Sequence, residues 1–401
     1  MKRKHKLFLV ILFCSFFLGG CYNYRELETL AIVTGLSIDK VDNQYQVGTL
    51  IANSKKQDAS SKEGQSQTIV YTGTGNSVTE AFYNIDLKSP KRLYVGHMAV
   101  IVISEDIAKT DLLKITDIML RSPESRKKFY LVVSRGVKAS DILKVTSPLE
   151  SYPSQNVSMN LKNTATYQGI ATDITYSEFL ATILEPGINP TLPSITIKGD
   201  EEKGAKKENL EQTTPETKVI MDTLSIFKDD KLVGYTTKEE SRVINILNNR
   251  TQYSILMAPY QDTYISEHIS DFKVKKKAVL KNGKPEISIQ LSAKGSINEF
   301  NADVDLNNPE EIDKLKKLSE KQLKQDIIDS LEKTQQKYHS DIYGFGAILY
   351  RKYPDYYKKN EKRWDEEIYP HLDVKVKVSL DLETKGSLEQ TIRRAKDGKT
   401  S

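Results

Sequence analysis

The residue with the clearest chemistry is a cysteine near the start of the chain. Leu18-Gly19-Gly20-Cys21 follows a basic stretch (Lys2, Arg3, Lys4, His5, Lys6) and a short apolar run from Leu7 to Leu18. A positive start, a brief apolar segment and small residues before a cut describe a secretory signal peptide. The run is too short for the roughly 20 apolar residues of a spanning helix. An aliphatic residue and two small ones ahead of Cys also have the form of a lipobox, in which the Cys21 thiol takes a diacylglycerol. The other reading, an ordinary leader or an uncleaved anchor, leaves Cys21 without a role. Cys14 falls within the leader, so Cys21 is the one cysteine of the mature chain. That excludes an intramolecular disulfide and a cysteine metal site. One acyl chain binds a membrane marginally, whereas two or more on one residue anchor it stably. The sequence thus predicts a leader over 1–20 and a body tethered to the outer face of a bacterial cytoplasmic membrane.

Other chemistry is sparse. The five histidines (His5, His97, His268, His339, His371) are scattered and no HExxH occurs. Gly73-Thr74-Gly75 lacks the lysine of a phosphate loop and reads as a turn. No G-x-S-x-G elbow is present. The acidic pairs Glu201-Glu202 and Asp229-Asp230 fall in expected loops or turns, and nothing singles out two carboxylates for glycoside cleavage. No catalytic residue, cofactor or metal is predicted. The basic residues Arg121, Arg126, Lys127 and Lys128 suit either a solvated helix end or contact with an acidic partner or lipid headgroups. The formal charge of +5 includes four cations of the leader, which leaves +1 on the mature body. Near-balance argues against nucleic acid, which needs a basic face.

Short strands alternating with helices must carry these residues. Leu30–Ile38 and Tyr45–Ile51 read as a hairpin around Asp42-Asn43. Ser77–Leu87, Asp111–Met119, Ala139–Val145 and Tyr176–Leu184 read as helices, the last stopped by Pro186-Gly187. His97–Ser104 and Phe129–Ser134 are apolar enough for strands buried on both faces. Gly199–Lys218 is charged, without apolar periodicity, and reads as a linker. Thr223–Phe227 and Leu232–Tyr235 form a second hairpin, and Ser241–Leu247 a short helix. Phe272–Leu280 and Ile287–Ala293 alternate across Asn282-Gly283, a strong hairpin signal. Asn308, Pro309 and Glu311 open a long amphipathic helix over about 309–339. Val374–Leu380 alternates as a half-exposed strand. The fold class is α+β: three mixed α/β domains built on antiparallel or mixed sheets with packed helices. The expected parts are 1–20 signal peptide, 21–198 N-terminal domain, 199–249 linker and small middle domain, and 250–401 C-terminal domain.

Several blocks resemble the C-subunit lipoproteins of bacterial spore germinant receptors. Cys21-Tyr22-Asn23-Tyr24-Arg25-Glu26-Leu27 and Ala31 to Asp39 stand where the family has Cys-Trp-Asp-x-x-Glu-Leu and Ala-x-x-x-Gly-x-Gly-x-Asp. Leu93 to His97, Arg121 to Arg126, Phe227-Lys228 with Lys231 to Gly234, and Asp341 to Gly346 with Tyr353-Pro354 and Trp364 follow in family order. Tyr22-Asn23 replaces the family's Trp-Asp. The resemblance implies three α+β domains and a non-enzymatic receptor subunit in the spore inner membrane. It also implies two integral membrane partners, one transporter-like and one channel-type. Gly344, Phe345 and Gly346 read as a tight bend with a buried ring. Two other classes, a solute-binding lipoprotein that hands a nutrient to a transporter and a cell-wall hydrolase, are the alternatives.

Overall fold

The computed structural model describes residues 26–53, 66–300 and 308–383, together with His5. Cys21 lies outside the described residues, as do the leader apart from His5 and the basic tail from Thr391. Nine strands form one sheet: β1 (Leu30–Val41), β2 (Gln44–Ala52), β3 (Thr68–Gly75), β4 (Arg92–Tyr94), β5 (Val100–Ser104), β6 (Tyr130–Ser134), β7 (Thr191–Lys198), β8 (Lys218–Lys228) and β9 (Lys231–Tyr235). Their order is β3-β2-β1-β5-β6-β7-β8-β9, with β4 beside the start of β1. β1, β5, β6 and β7 run parallel. Parallel strands linked by crossover helices must be apolar on both faces. β5 and β6 accordingly are buried at every position. Ile101 and Ile103 join the helices Val78–Asp86, Leu112–Arg121 and Tyr176–Leu184 on one face. Val100 and Val102 join Ala139–Ile142 and Pro153–Gln168 on the other.

The second sheet has the order β10 (Tyr253–Tyr260), β11 (Thr263–Lys281), β12 (Lys284–Phe300), β13 (Asp373–Glu383). Its central hairpin turns at Asn282-Gly283, with φ of 51° and 76°, the paired positive angles that twist a two-residue turn to match its strands. Between β12 and β13 the helix Pro309–Lys333 crosses the sheet and continues as a π turn over Thr334–Tyr338. The Asn308 side chain accepts from Glu310 N at 3.0 Å and so caps it. Leu323, Ile327 and Leu331 pack on Ile287, Ile289 and Leu291. The opposite face is uncovered: Lys275 pairs in register with Gln290, and Gln290 with Lys377, all three exposed.

Mixed α/β construction is what the sequence predicts; several details differ. The 199–218 stretch is not a bare linker. It forms the helical turns Glu201–Gly204 and Glu208–Glu211. Asn209 holds them through polar bonds, donating to Thr146 O and Thr217 O at 3.1 Å. β8, placed by the sequence with β9 in a middle unit over 199–249, hydrogen-bonds to β7, and β9 to β8, so one sheet runs through that position. Gly73-Thr74-Gly75 ends β3 rather than making a turn, and a Cβ at Gly73 would meet Ala81 O at 2.2 Å. Among the described residues no helix is long and apolar enough to cross a membrane.

Candidate functional site at the seam of the two sheets

The chain leaves the π turn through His339, in the left-handed region at φ 47°. It then buries Asp341 completely. One carboxylate oxygen accepts from Tyr343 N and Phe345 N at 3.2 Å. The other accepts from Gly346 N at 2.7 Å and from the indole of Trp364 at 3.0 Å. The amides of Phe345 and Gly346 open the helix Phe345–Lys352, and an anion there satisfies donors that the helix itself cannot. Burial pushes the Asp341 carboxyl up to about 6, against the pull of the Gly346 amide. Asp365 beside it is also raised by burial. It accepts from Asn189 Nδ2 at 3.1 Å and from Asp341 N at 3.2 Å. Asn189 in turn accepts from Asp229 N at 2.8 Å, at the end of β8. The network therefore stitches the edge of the first sheet to the motif that precedes the second sheet's last strand.

Gly344 sits at φ 70°, which an L side chain rarely adopts. Phe345 behind it is fully buried and stacked on Tyr343 at 5.6 Å. Gly346 meets Gly187 from the first unit: Ala347 N donates to Gly187 O at 2.8 Å. A Cβ on Gly187 would lie 2.4 Å from the Gly346 carbonyl carbon. Only two glycines let these backbones approach so closely.

Beside this seam opens a cleft of about 380 Å³ whose lining includes Asn248, Arg250, Lys276, Tyr343, Gly344 and Arg351. Lys276 enters from the covered face of β11. It donates to Asn248 Oδ1 at 2.8 Å and to Tyr343 O at 2.7 Å, and burial brings its ammonium down to about 8. Arg351 is paired with Glu185 and Arg250 with Glu178. The arrangement suits holding a small polar or anionic group. It contains no nucleophile–base pair, and among the described residues no group of three His, Cys, Asp or Glu could hold a metal.

The four basic candidates separate. Arg121 pairs with Asp117 one turn back, at 2.8 Å. Lys127 donates to Met119 O and Ser122 O, which closes the C-terminal end of the helix Leu112–Arg121, and burial lowers its pKa. Arg126 and Lys128 are exposed on the same loop. Asp341, Gly344, Phe345, Gly346 and Trp364 converge in the seam, as one sequence block and a tryptophan beyond it. Gly187, Asn189, Asp365 and Lys276 escaped the sequence reading. Lys276 alone carried a signal: it breaks the apolar alternation Phe272, Val274, Ala278, Leu280 at an inward position.

Two family models match this chain: the spore germination protein N-terminal domain over residues 23–197, and the spore germination B3/GerAC-like C-terminal domain over residues 222–386. Spore germination protein KC of Bacillus subtilis (strain 168) is 29% identical, with 98% of each chain covered. Spore germination protein B3 of the same organism is 25% identical, with 93% of this chain and 96% of the relative covered. Spore germination protein GerQC of Bacillus cereus is 23% identical, with 96% and 100% covered. The crystal structure of the GerBC protein shares the fold with a TM-score of 0.53 at 21% identity, over 87% of this chain and 96% of that one. With its two halves matched in order and an α+β body of the same fold, the chain belongs to the spore germination protein family of the GerAC type.

Proposed function

We propose that this chain is the lipid-anchored subunit of a nutrient germinant receptor in the spore inner membrane. It acts through contacts with two integral membrane subunits, one transporter-like and one channel-type, and is not an enzyme. The observation that supports this most is the extent of the family match, which begins two residues after Cys21 and runs to residue 386. The shared body is thereby joined directly to the tethering position. The test is a Cys21→Ala variant and a deletion, in spores with no redundant copy. We expect the variant to leave the membrane fraction and the spores to respond poorly to nutrients. A normal nutrient response without this chain would overturn the reading. Co-purification of the two membrane subunits with the wild-type chain is the biochemical counterpart.

The cleft beside Lys276 favours a second reading, a solute-binding lipoprotein. That reading predicts saturable heat with an amino acid or sugar in calorimetry of the unlipidated mature chain, and loss of that heat in Lys276→Met.

A further inference from the structure

We propose that the end of the nine-stranded sheet where β1 begins rests on an anionic phospholipid leaflet, with Leu87 as its apolar contact. The orientation rests on the lipid-anchor reading above. β4 pairs Arg92–Tyr94 alongside Leu30–Ile32, at the entry of β1. β5 and β6 run parallel to β1, so the segments that feed them lie at the same end. The helices Val78–Asp86 and Leu112–Arg121 bring the chain back there, which gathers residues 86–92 and 117–128. Together these segments hold seven Lys or Arg against three Asp or Glu, on a mature chain with a net charge of only +1. This end therefore carries a local excess of positive charge, and basic clusters beside a bilayer are drawn to anionic headgroups.

Apolar surface accompanies the charge. Leu87 is 84% exposed and Tyr83 64%, the combination of cations and protruding apolar groups that settles at a lipid–water interface. Behind them lies a cavity of about 510 Å³, lined in part by Phe82, Leu93, Val95, Met98 and Ile118. It offers apolar room beside the same cations. Lys127 fixes the loop that displays Arg126 and Lys128, because its ammonium is committed to the helix end. The tether points the same way. Eight residues lie between Cys21 and Leu30, and the connection spans about 30 Å at most. β1 itself, with 12 residues, is close to 36 Å long. An anchor inserted at Cys21 is therefore too short for the sheet to stand upright on its Asp42-Asn43 end.

The test uses the mature chain with Cys21→Ser, free of lipid, and vesicles of phosphatidylcholine with about one quarter phosphatidylglycerol. We expect salt-sensitive co-sedimentation that is absent with pure phosphatidylcholine. Lys91→Glu, Arg126→Glu and Lys128→Glu together should weaken it about tenfold or more. Lys273→Glu, Lys275→Glu and Lys277→Glu on the second sheet should change it less than about twofold. A fluorophore at Leu87→Cys should be quenched by brominated lipid, and one at Asp42→Cys should not. Equal binding to neutral vesicles, a loss that follows the second triple instead, or protein adducts from a photo-crosslinker at Leu87 in spore membranes would each overturn the proposal. Mass spectrometry of native Cys21 decides the lipid anchor separately, because the vesicle assay uses an unlipidated chain.

Discussion

In β5 every residue is buried, whereas in β12 burial alternates: Ile287, Ile289, Leu291 and Ala293 are covered while Gln290, Ser292 and Lys294 are exposed. The central strands of the first sheet spend both faces on its own helices. The second keeps one face open and studs it with Lys273, Lys275, Lys277, Lys375 and Lys377. Like charges at this spacing repel one another and discourage a second sheet from stacking there. Interior stability and contact surface are thus divided between different parts of the chain, and substitutions can separate them.

The seam should be most sensitive. Asp341→Ala strands the amides of Phe345 and Gly346 and the Trp364 indole in a dry site, and we expect a loss of about 4 kcal/mol by urea denaturation. Next come the two cores: Ile103→Ala and Ile289→Ala should each lose about 3 kcal/mol. If Ile289→Ala proved nearly neutral, the covered face of the second sheet would be packed far more loosely than its burial implies.

Glu267 sharpens the comparison through pH. It is fully buried under the long helix and accepts from Ser319 Oγ at 2.5 Å, while its second oxygen has no partner among the described residues. Burial pushes its carboxyl up to about 7, from an ordinary value of 4.5. The folded state therefore holds this proton more tightly than the unfolded chain does. The stabilisation is fully present below the ordinary value and is lost as pH rises through about 7, by roughly 3 kcal/mol. Glu267→Gln should match the wild type near about pH 4 and exceed it near about pH 8; urea midpoints at both values check this. The smallest effect belongs to the open face, where Lys275→Ala should stay within about 0.5 kcal/mol.

Where local chemistry decides structure, the sequence was readable. Asn282-Gly283 and Asp42-Asn43 set their hairpins through positive φ angles, and Asn308-Pro309 marked the long helix. The helix Pro153–Gln168 was missed because its buried side includes Ser154, Ser158 and Thr164, which blur any apolar stripe. β7 was hidden by Pro193, which sits beside a bulge in its pairing with β8. Composition could not show that Asn209 organises the 199–218 stretch, since its bonds reach Thr146. The seam was half legible. Asp341 to Gly346 stood out as one block, but Gly187 and Asn189 are joined to it only by the fold, across some 150 positions that no periodicity connects.

The contact between Gly187 and Gly346 has a mechanical consequence. Two main chains pressed together without side chains between them leave no soft layer to shear, and the bond from Ala347 N pins their register. A pull delivered where β1 begins would therefore reach the lysine-studded face with little of it absorbed by bending at the join.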